Sequence, residues 1–195
     1  MTDTTRDRQR EATRQRLYEA ALGIFRRDGF RDARVDDITL VAGVSRTAFY
    51  FHFPTKEDVL SELMRRTEQP ICDAVMTLPE DADLALVLDT VTEWMNRVWQ
   101  DERALIIDTM AVGLRVEAGS PQPNGLRALL GNRFARAAQR GVLSLQQRPE
   151  MLADLYLLGC LSTMVSWAQQ EGSSLIDSLT AANRLFLHGA RKSPN

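Results

Sequence analysis

Histidine and cysteine are scarce in this chain, two of each among 195 residues. His52 and His188 stand far apart, and no HExxH, GxSxG, GxxxxGK[ST] or glycine-rich dinucleotide fingerprint occurs. So few ligating and nucleophilic side chains speak against a catalytic metal site, and no residue set proposes a reaction, so neither enzyme activity nor a cofactor is expected. Cys72 and Cys160 are far apart without CxxC spacing. They read as buried free thiols in a reducing cytoplasm rather than a disulfide framework. Long apolar runs are also missing. The longest uncharged stretch, Leu155 to Gln170, includes Ser162, Thr163, Ser166 and Gln169. It falls short of the ~20 apolar residues of a membrane span. The start is polar and charged, which predicts no signal peptide and a cytoplasmic protein with no membrane partner. Excess charge of one sign is absent too: the formal net charge is −2. A general polycationic coat is excluded, and any nucleic-acid site must be local.

What is present is an ordinary soluble composition, 44% hydrophobic and 26% charged, written in helical periodicity. Arg6, Arg8, Arg10, Arg14 and Arg16, opposed only by Asp7 and Glu11, give one local positive field. Residues 1–10 read as a flexible basic arm, either a disordered terminus or a segment lying along DNA phosphates. A first helix follows over Glu11–Asp28, with Leu17, Ala20, Ala21, Ile24 and Phe25 at i, i+3, i+4, i+7, i+8, and Gly29 ends it. A second helix, Val35–Ala42, carries Val35, Ile38, Val41 and Ala42 as its apolar set. Arg34 occupies its cap position, where a hydroxyl or carboxylate is favoured. Gly43 ends that helix by taking positive φ, and Ser45 caps a third, running to His52. Phe49 and Phe53, four apart, share its narrow apolar edge. Arg46, Thr47, Tyr50, Phe51 and His52 are left for other faces, a polar front that suits a major groove. Pro54 stops the helix. A fourth starts at the Thr55/Asp58 capping pair and ends or kinks at Pro70.

The run LYEAALGIFRRDGFRDARVDDITLVAGVSRTAFYFHFPTKEDVLSEL resembles the DNA-binding domain of the tetracycline-repressor (TetR) family. The features that carry the resemblance are GF after the first helix, V-x-D-I opening the second, A-G-V-S at the turn, F-Y-F-H-F in the third helix, then P-T-K-E. The FYFHFPTKE phrase resembles the ethionamide-resistance-regulator branch in particular. The resemblance implies an all-α fold. Its parts are a helix-turn-helix domain (residues 11–54), joined through helix 55–70 to a ligand-binding and dimerisation bundle (55–195). It implies double-stranded operator DNA as partner, with Tyr50 and Lys56 on phosphates, Arg46 and Thr47 facing base edges, and His52 reaching backbone or base. Ser45 and Phe51 belong to the same face. Arg34 departs from the family's Ser or Thr cap and is placed to add a phosphate contact. The chemistry stands beside the resemblance. Arginine makes paired hydrogen bonds to guanine O6 and N7, and a threonine methyl packs on a thymine methyl. Lys56 is expected in the first turn of the fourth helix, where its ammonium and free N–H groups meet a phosphate together.

Five more helices are predicted downstream, over 84–100, 102–117, 126–140, 149–170 and 174–190. In the third of these Arg127, Arg133, Arg136 and Arg140 are expected mostly outside. The fourth is apolar nearly all round, more than one subunit of this size buries. With its C-terminal neighbour it predicts a homodimer through a four-helix interface (about 149–190), as the resemblance also implies. Trp94, Met95, Trp99, Met110, Phe134, Met164 and Trp167 are candidates for the wall of an apolar cavity, though each alone is as compatible with ordinary core. The resemblance implies a small apolar effector there, of unknown identity, that releases a repressor from DNA. The alternative is a DNA-bound adaptor regulated by a protein partner.

Overall fold

The structure is a computed structural model that describes residues 5–119, 125–143 and 148–190. Among them the chain is all-α. The helices are α1 (Thr5–Asp28), α2 (Val35–Ala42), α3 (Arg46–His52), α4 (Glu57–Thr77), α5 (Leu84–Trp99), α6 (Ile106–Gly119), α7 (Gly125–Gln139), α8 (Pro149–Gln169) and α9 (Leu175–Ala190). A 3₁₀ turn at Arg103–Leu105 precedes α6. Two compact units result, residues 1–63 and 64–195. Their boundary falls inside α4, later than the 54/55 division expected from sequence. Val59, Leu60 and Leu63 are buried, as members of the first unit's core.

In the first unit, α1 packs on α2 through its predicted stripe: Leu17, Ala21, Ile24 and Phe25 are buried against Ile38, Phe49 and Phe53. The helix starts earlier than expected. Residues 5–10, read as part of an arm, form its first turns. Positions 5–28 contain no proline and are rich in Arg, Gln, Glu and Ala, which all favour helix. Residues 1–4 lie outside the described residues. Gly29 and Gly43 take positive φ, 83° and 65°, and the Gly43 N–H donates to the Leu40 and Thr39 carbonyls, closing α2. Ile38 and Ala42 of α2 are buried, whereas Val41 is 61% exposed. In so short a helix the core-facing edge is Ile38, Thr39 and Ala42.

Helix α4 passes through Pro70 and continues to Thr77. Of the two expectations, an end or a kink at Pro70, the end is corrected: Ile71, Cys72 and Val75 beyond it are buried, which offsets the hydrogen bond proline removes. The end of α4 is capped from afar. Arg133 donates to the carbonyl oxygens of Val75 (2.8 Å), Leu78 (3.0 Å) and Pro79. Expected on the outside of α7, it is buried instead, because its guanidinium satisfies helix-end acceptors that water does not reach.

In the second unit, α8 packs between α7 and α9, and α5 packs on α9. A buried polar cluster joins three of these helices. Tyr156 Oη donates to Asn183 Oδ1 (2.9 Å), and Asn183 Nδ2 donates to Thr92 Oγ1 (2.6 Å) and Asp89 Oδ1 (3.3 Å). Phe134, Tyr156 and Phe186 stack beside it, with centroids 5.2–6.5 Å apart. Helix α9 is capped by Ser174, whose Oγ accepts from the Asp177 N–H at 3.3 Å. By length and composition α8 is long and apolar enough to cross a membrane, with 28% of its apolar window buried. Its buried side chains, Ala153, Tyr156, Cys160, Met164 and Trp167, lie on one face. Met151, Leu155 and Leu158 are exposed on another, and so is Leu185 of α9.

Candidate nucleic-acid interface and ligand cavity

Helix α3 is held by its two ends and one edge. Ser45 Oγ accepts from the Ala48 N–H (3.2 Å), satisfying one orphan donor of the first turn. Phe49 and Phe53 are fully buried, which turns Arg46, Thr47, Tyr50 and Phe51 outward. At the other end, Arg14 of α1 donates to the His52 carbonyl (2.8 Å) and to Glu62 Oε2 (3.1 Å), and its guanidinium lies 4.5 Å from the Phe53 ring centroid. Spacing alone does not point to this bracing, since Arg14, His52 and Glu62 meet only once three helices have packed.

Arg46 is exposed but oriented. Its Nη1 donates to Asp36 Oδ1 and Oδ2 (3.0 and 3.2 Å), and its Nη2 to Tyr50 Oη (3.5 Å). An exposed pair of this kind adds little stability. Its effect here is to restrict where the guanidinium points. Asp36 was recognisable in the sequence only as a first-turn acid of α2. Arg34 has extended backbone and makes no side-chain cap, as its residue type predicts. Thr55 and Asp58 form the predicted reciprocal cap: Thr55 N–H to Asp58 Oδ2, 2.7 Å, and Asp58 N–H to Thr55 Oγ1, 3.3 Å.

Lys56 differs from expectation. It stands just before α4 rather than in its first turn. Its ammonium donates to the carbonyl oxygens of Phe30 (2.9 Å), Arg31 (3.3 Å) and Ala33 (2.7 Å), close to the Phe30 ring. An ammonium has three protons, so in this state its donors are committed to bracing the α1–α2 connection. His52 is half-buried. Burial first, then the charges of Arg10 and Arg14, hold its pKa below the usual imidazole value. At neutral pH it therefore presents a neutral hydrogen-bonding ring, and Phe51 beside it lies under the Arg10 guanidinium (5.1 Å).

The second unit contains a cavity of about 330 Å³, within the range of small-molecule sites. Met95, Trp99, Met110 and Met164 line it, as the sequence proposed. Trp94, Phe134 and Trp167 do not. Trp94 is half-buried under Arg97, and Phe134 belongs to the aromatic stack. Trp167 donates from Nε1 to the Ser173 carbonyl (2.9 Å) beneath Arg103. Phe134 and Trp167 are core, the competing reading of these residues. The rest of the wall was missed. Helix α4 supplies Met64, Thr67, Glu68 and Ile71, and α8 supplies Leu157, Cys160 and Leu161. A signal existed. Leu60, Met64, Ile71 and Val75 form one stripe of α4, and Glu68 interrupts it with a carboxylate. Met64 can fold over Gly113, where a Cβ would fall 2.1 Å from its methyl. At one edge Arg127 binds Asp154 through two hydrogen bonds, one of them Nη2 to Oδ2 at 2.7 Å. Arg127 holds the Asp154 carboxyl below its usual pKa. Both thiols are buried and pushed up to about 11, chiefly by that burial. They are protonated at neutral pH and poor nucleophiles. Among the described residues no cluster of three metal-ligating side chains occurs.

Residues 17–63 match the family described as bacterial regulatory proteins, tetR family. The HTH-type transcriptional regulator SrpR of Pseudomonas putida is 43% identical over 61 residues, 31% of this chain and 29% of SrpR. EthR of Mycolicibacterium smegmatis is 38% identical over 79 residues, 38% of this chain and 33% of EthR. The matched stretch thus spans about a third of each relative's length. The likeness of fold extends further. FadR of Thermus thermophilus, a TetR-family repressor solved in complex with lauroyl-CoA, superposes with a TM-score of 0.69. It is 23% identical, over 93% of this chain and 98% of FadR. Residues 17–63 thus carry a helix-turn-helix of the tetR-family type, and the chain as a whole shares the all-helical fold of FadR.

Proposed function

We propose that the protein is a homodimeric transcriptional repressor that binds a palindromic operator and is released by a small, mostly apolar effector. The observation that carries this reading is α3: a capped helix with a buried Phe49/Phe53 edge and an outward front of Arg46, Thr47, Tyr50 and Phe51. Arg46 and Thr47 would read base edges. Tyr50, Arg34 and the helix-capping Ser45 would meet phosphates, with His52 and Lys56 at the margin. Lys56 contributes charge there, and a direct phosphate bond would cost it one of its three carbonyls. The exposed Met151, Leu155 and Leu158 of α8, with Leu185 of α9, support dimerisation through those helices. Two α3 helices would then enter successive major grooves about 34–36 Å apart. An effector that binds one arrangement of the dimer better than another shifts the population off DNA. The cavity favours this over an adaptor controlled by a protein partner, for which a closed core would serve as well. The reading is cytoplasmic and non-enzymatic.

Selection from a library of random-sequence DNA duplexes tests it. The expected outcome is a palindromic consensus bound by two protomers, with affinity falling about 10³-fold or more between ~50 and ~200 mM salt. Failure to enrich any sequence, or salt-independent binding, would contradict it.

A further inference from the structure

Among the described residues the cavity's charge is unbalanced, and the imbalance selects a ligand. Its described lining holds three acidic or basic side chains: Glu68, Arg127 and Asp154. Arg127 and Asp154 neutralise each other across their paired hydrogen bonds. Glu68 has no such partner among the described residues. Its Oε1 accepts the Leu126 N–H at 2.7 Å, in the first turn of α7. That bond leaves acceptor capacity on the carboxylate, which is half-buried among methionine and leucine side chains. It also fills the place an anionic ligand would otherwise use. A helix N-terminus attracts anions, but here the N-terminus of α7 is already answered by Glu68. A second anion in this cavity would meet like charge at reduced screening. Trp99 in the same wall adds an aromatic surface of the type that favours cations. Met64, Met95, Met110 and Met164 form an adaptable apolar lining that demands no single shape.

Resting on the effector reading above, we infer that the cavity takes amphipathic cations, an apolar body among the methionines with a protonated amine against Glu68. This distinguishes it from the lauroyl-CoA site of FadR, since acyl-CoA is an anion.

The test uses the full chain and three ten-carbon probes below their micellar concentrations: decylamine, decanol and decanoate. Binding is measured by calorimetry at pH 7. Decylamine is expected to bind at least about tenfold more tightly than decanoate, the scale of one charge-assisted hydrogen bond. Glu68→Gln keeps an acceptor for the Leu126 N–H and should unfold at a similar temperature. It is expected to lose the tenfold preference through weaker amine binding. Decanol or decanoate binding as tightly as decylamine, or an unchanged preference in E68Q, overturns the amine assignment while leaving a ligand cavity in place. Binding of none of the three overturns both the assignment and the effector reading on which it rests.

Discussion

Phe49→Ala is expected to unfold the helix-turn-helix unit while leaving the second unit folded. Phe49 is fully buried, 6.0 Å from Phe53 and 5.4 Å from Tyr50, ring to ring. Truncating a core phenylalanine costs about 3–5 kcal/mol in transfer and cavity terms, a large fraction of what a unit this small has in reserve. The side chain also fixes the rotation of α3, so the loss falls on the reading face as well as on stability. The fluorophores allow a clean measurement. Trp94, Trp99 and Trp167 all lie in the second unit. Urea unfolding followed by tryptophan fluorescence should keep its midpoint, whereas the far-ultraviolet dichroism of the variant should show an earlier loss of helix. Coincident, parental midpoints by both probes would show that Phe49 does not hold the unit together.

Leu155→Glu with Leu185→Glu is expected to produce a folded monomer that no longer holds operator DNA. Both leucines are exposed in the single chain, at 53% and 76%, and neither lines the cavity, so charge at these positions costs the isolated fold little. In the proposed four-helix interface each would bury a carboxylate opposite its symmetry copy. Sedimentation should give half the parental mass. Losing the second half-site removes the effective-concentration advantage of bivalency, about 10²–10⁴ in apparent affinity. A double variant that stays dimeric would move the interface elsewhere.

Most of the first unit was legible in its sequence because its signals are local. Glycine at the two helix ends, Ser45 as a cap, the Thr55/Asp58 box and the Phe49/Phe53 pair all act within a few residues, and all take their predicted places. What escaped was non-local. The role of Lys56 as a brace depends on carbonyls at Phe30, Arg31 and Ala33, and that of Arg14 on His52 and Glu62, partners that only folding brings near. The same holds in the second unit. Arg133 looked like a solvated charge on α7 until the open end of α4 was placed beside it. The cavity shows the limit most plainly. Apolar residues that line a space and those that fill one obey the same periodicity, so Met164 and Phe134 read alike and separate only in the structure. Glu68 also went unread, although a charge in an apolar stripe is a local inconsistency of the kind that marks a site.

The central claim is that α3 reads DNA with an arginine oriented by Asp36. Its most direct test is fluorescence anisotropy with the selected duplex and with versions altered at each base pair in turn, comparing the parent with Arg46→Ala. The account predicts that Arg46→Ala weakens operator binding by about 1–3 kcal/mol, some 5- to 150-fold, and flattens discrimination at one guanine per half-site, leaving the other positions unchanged. Parental affinity with parental discrimination at every position would contradict it.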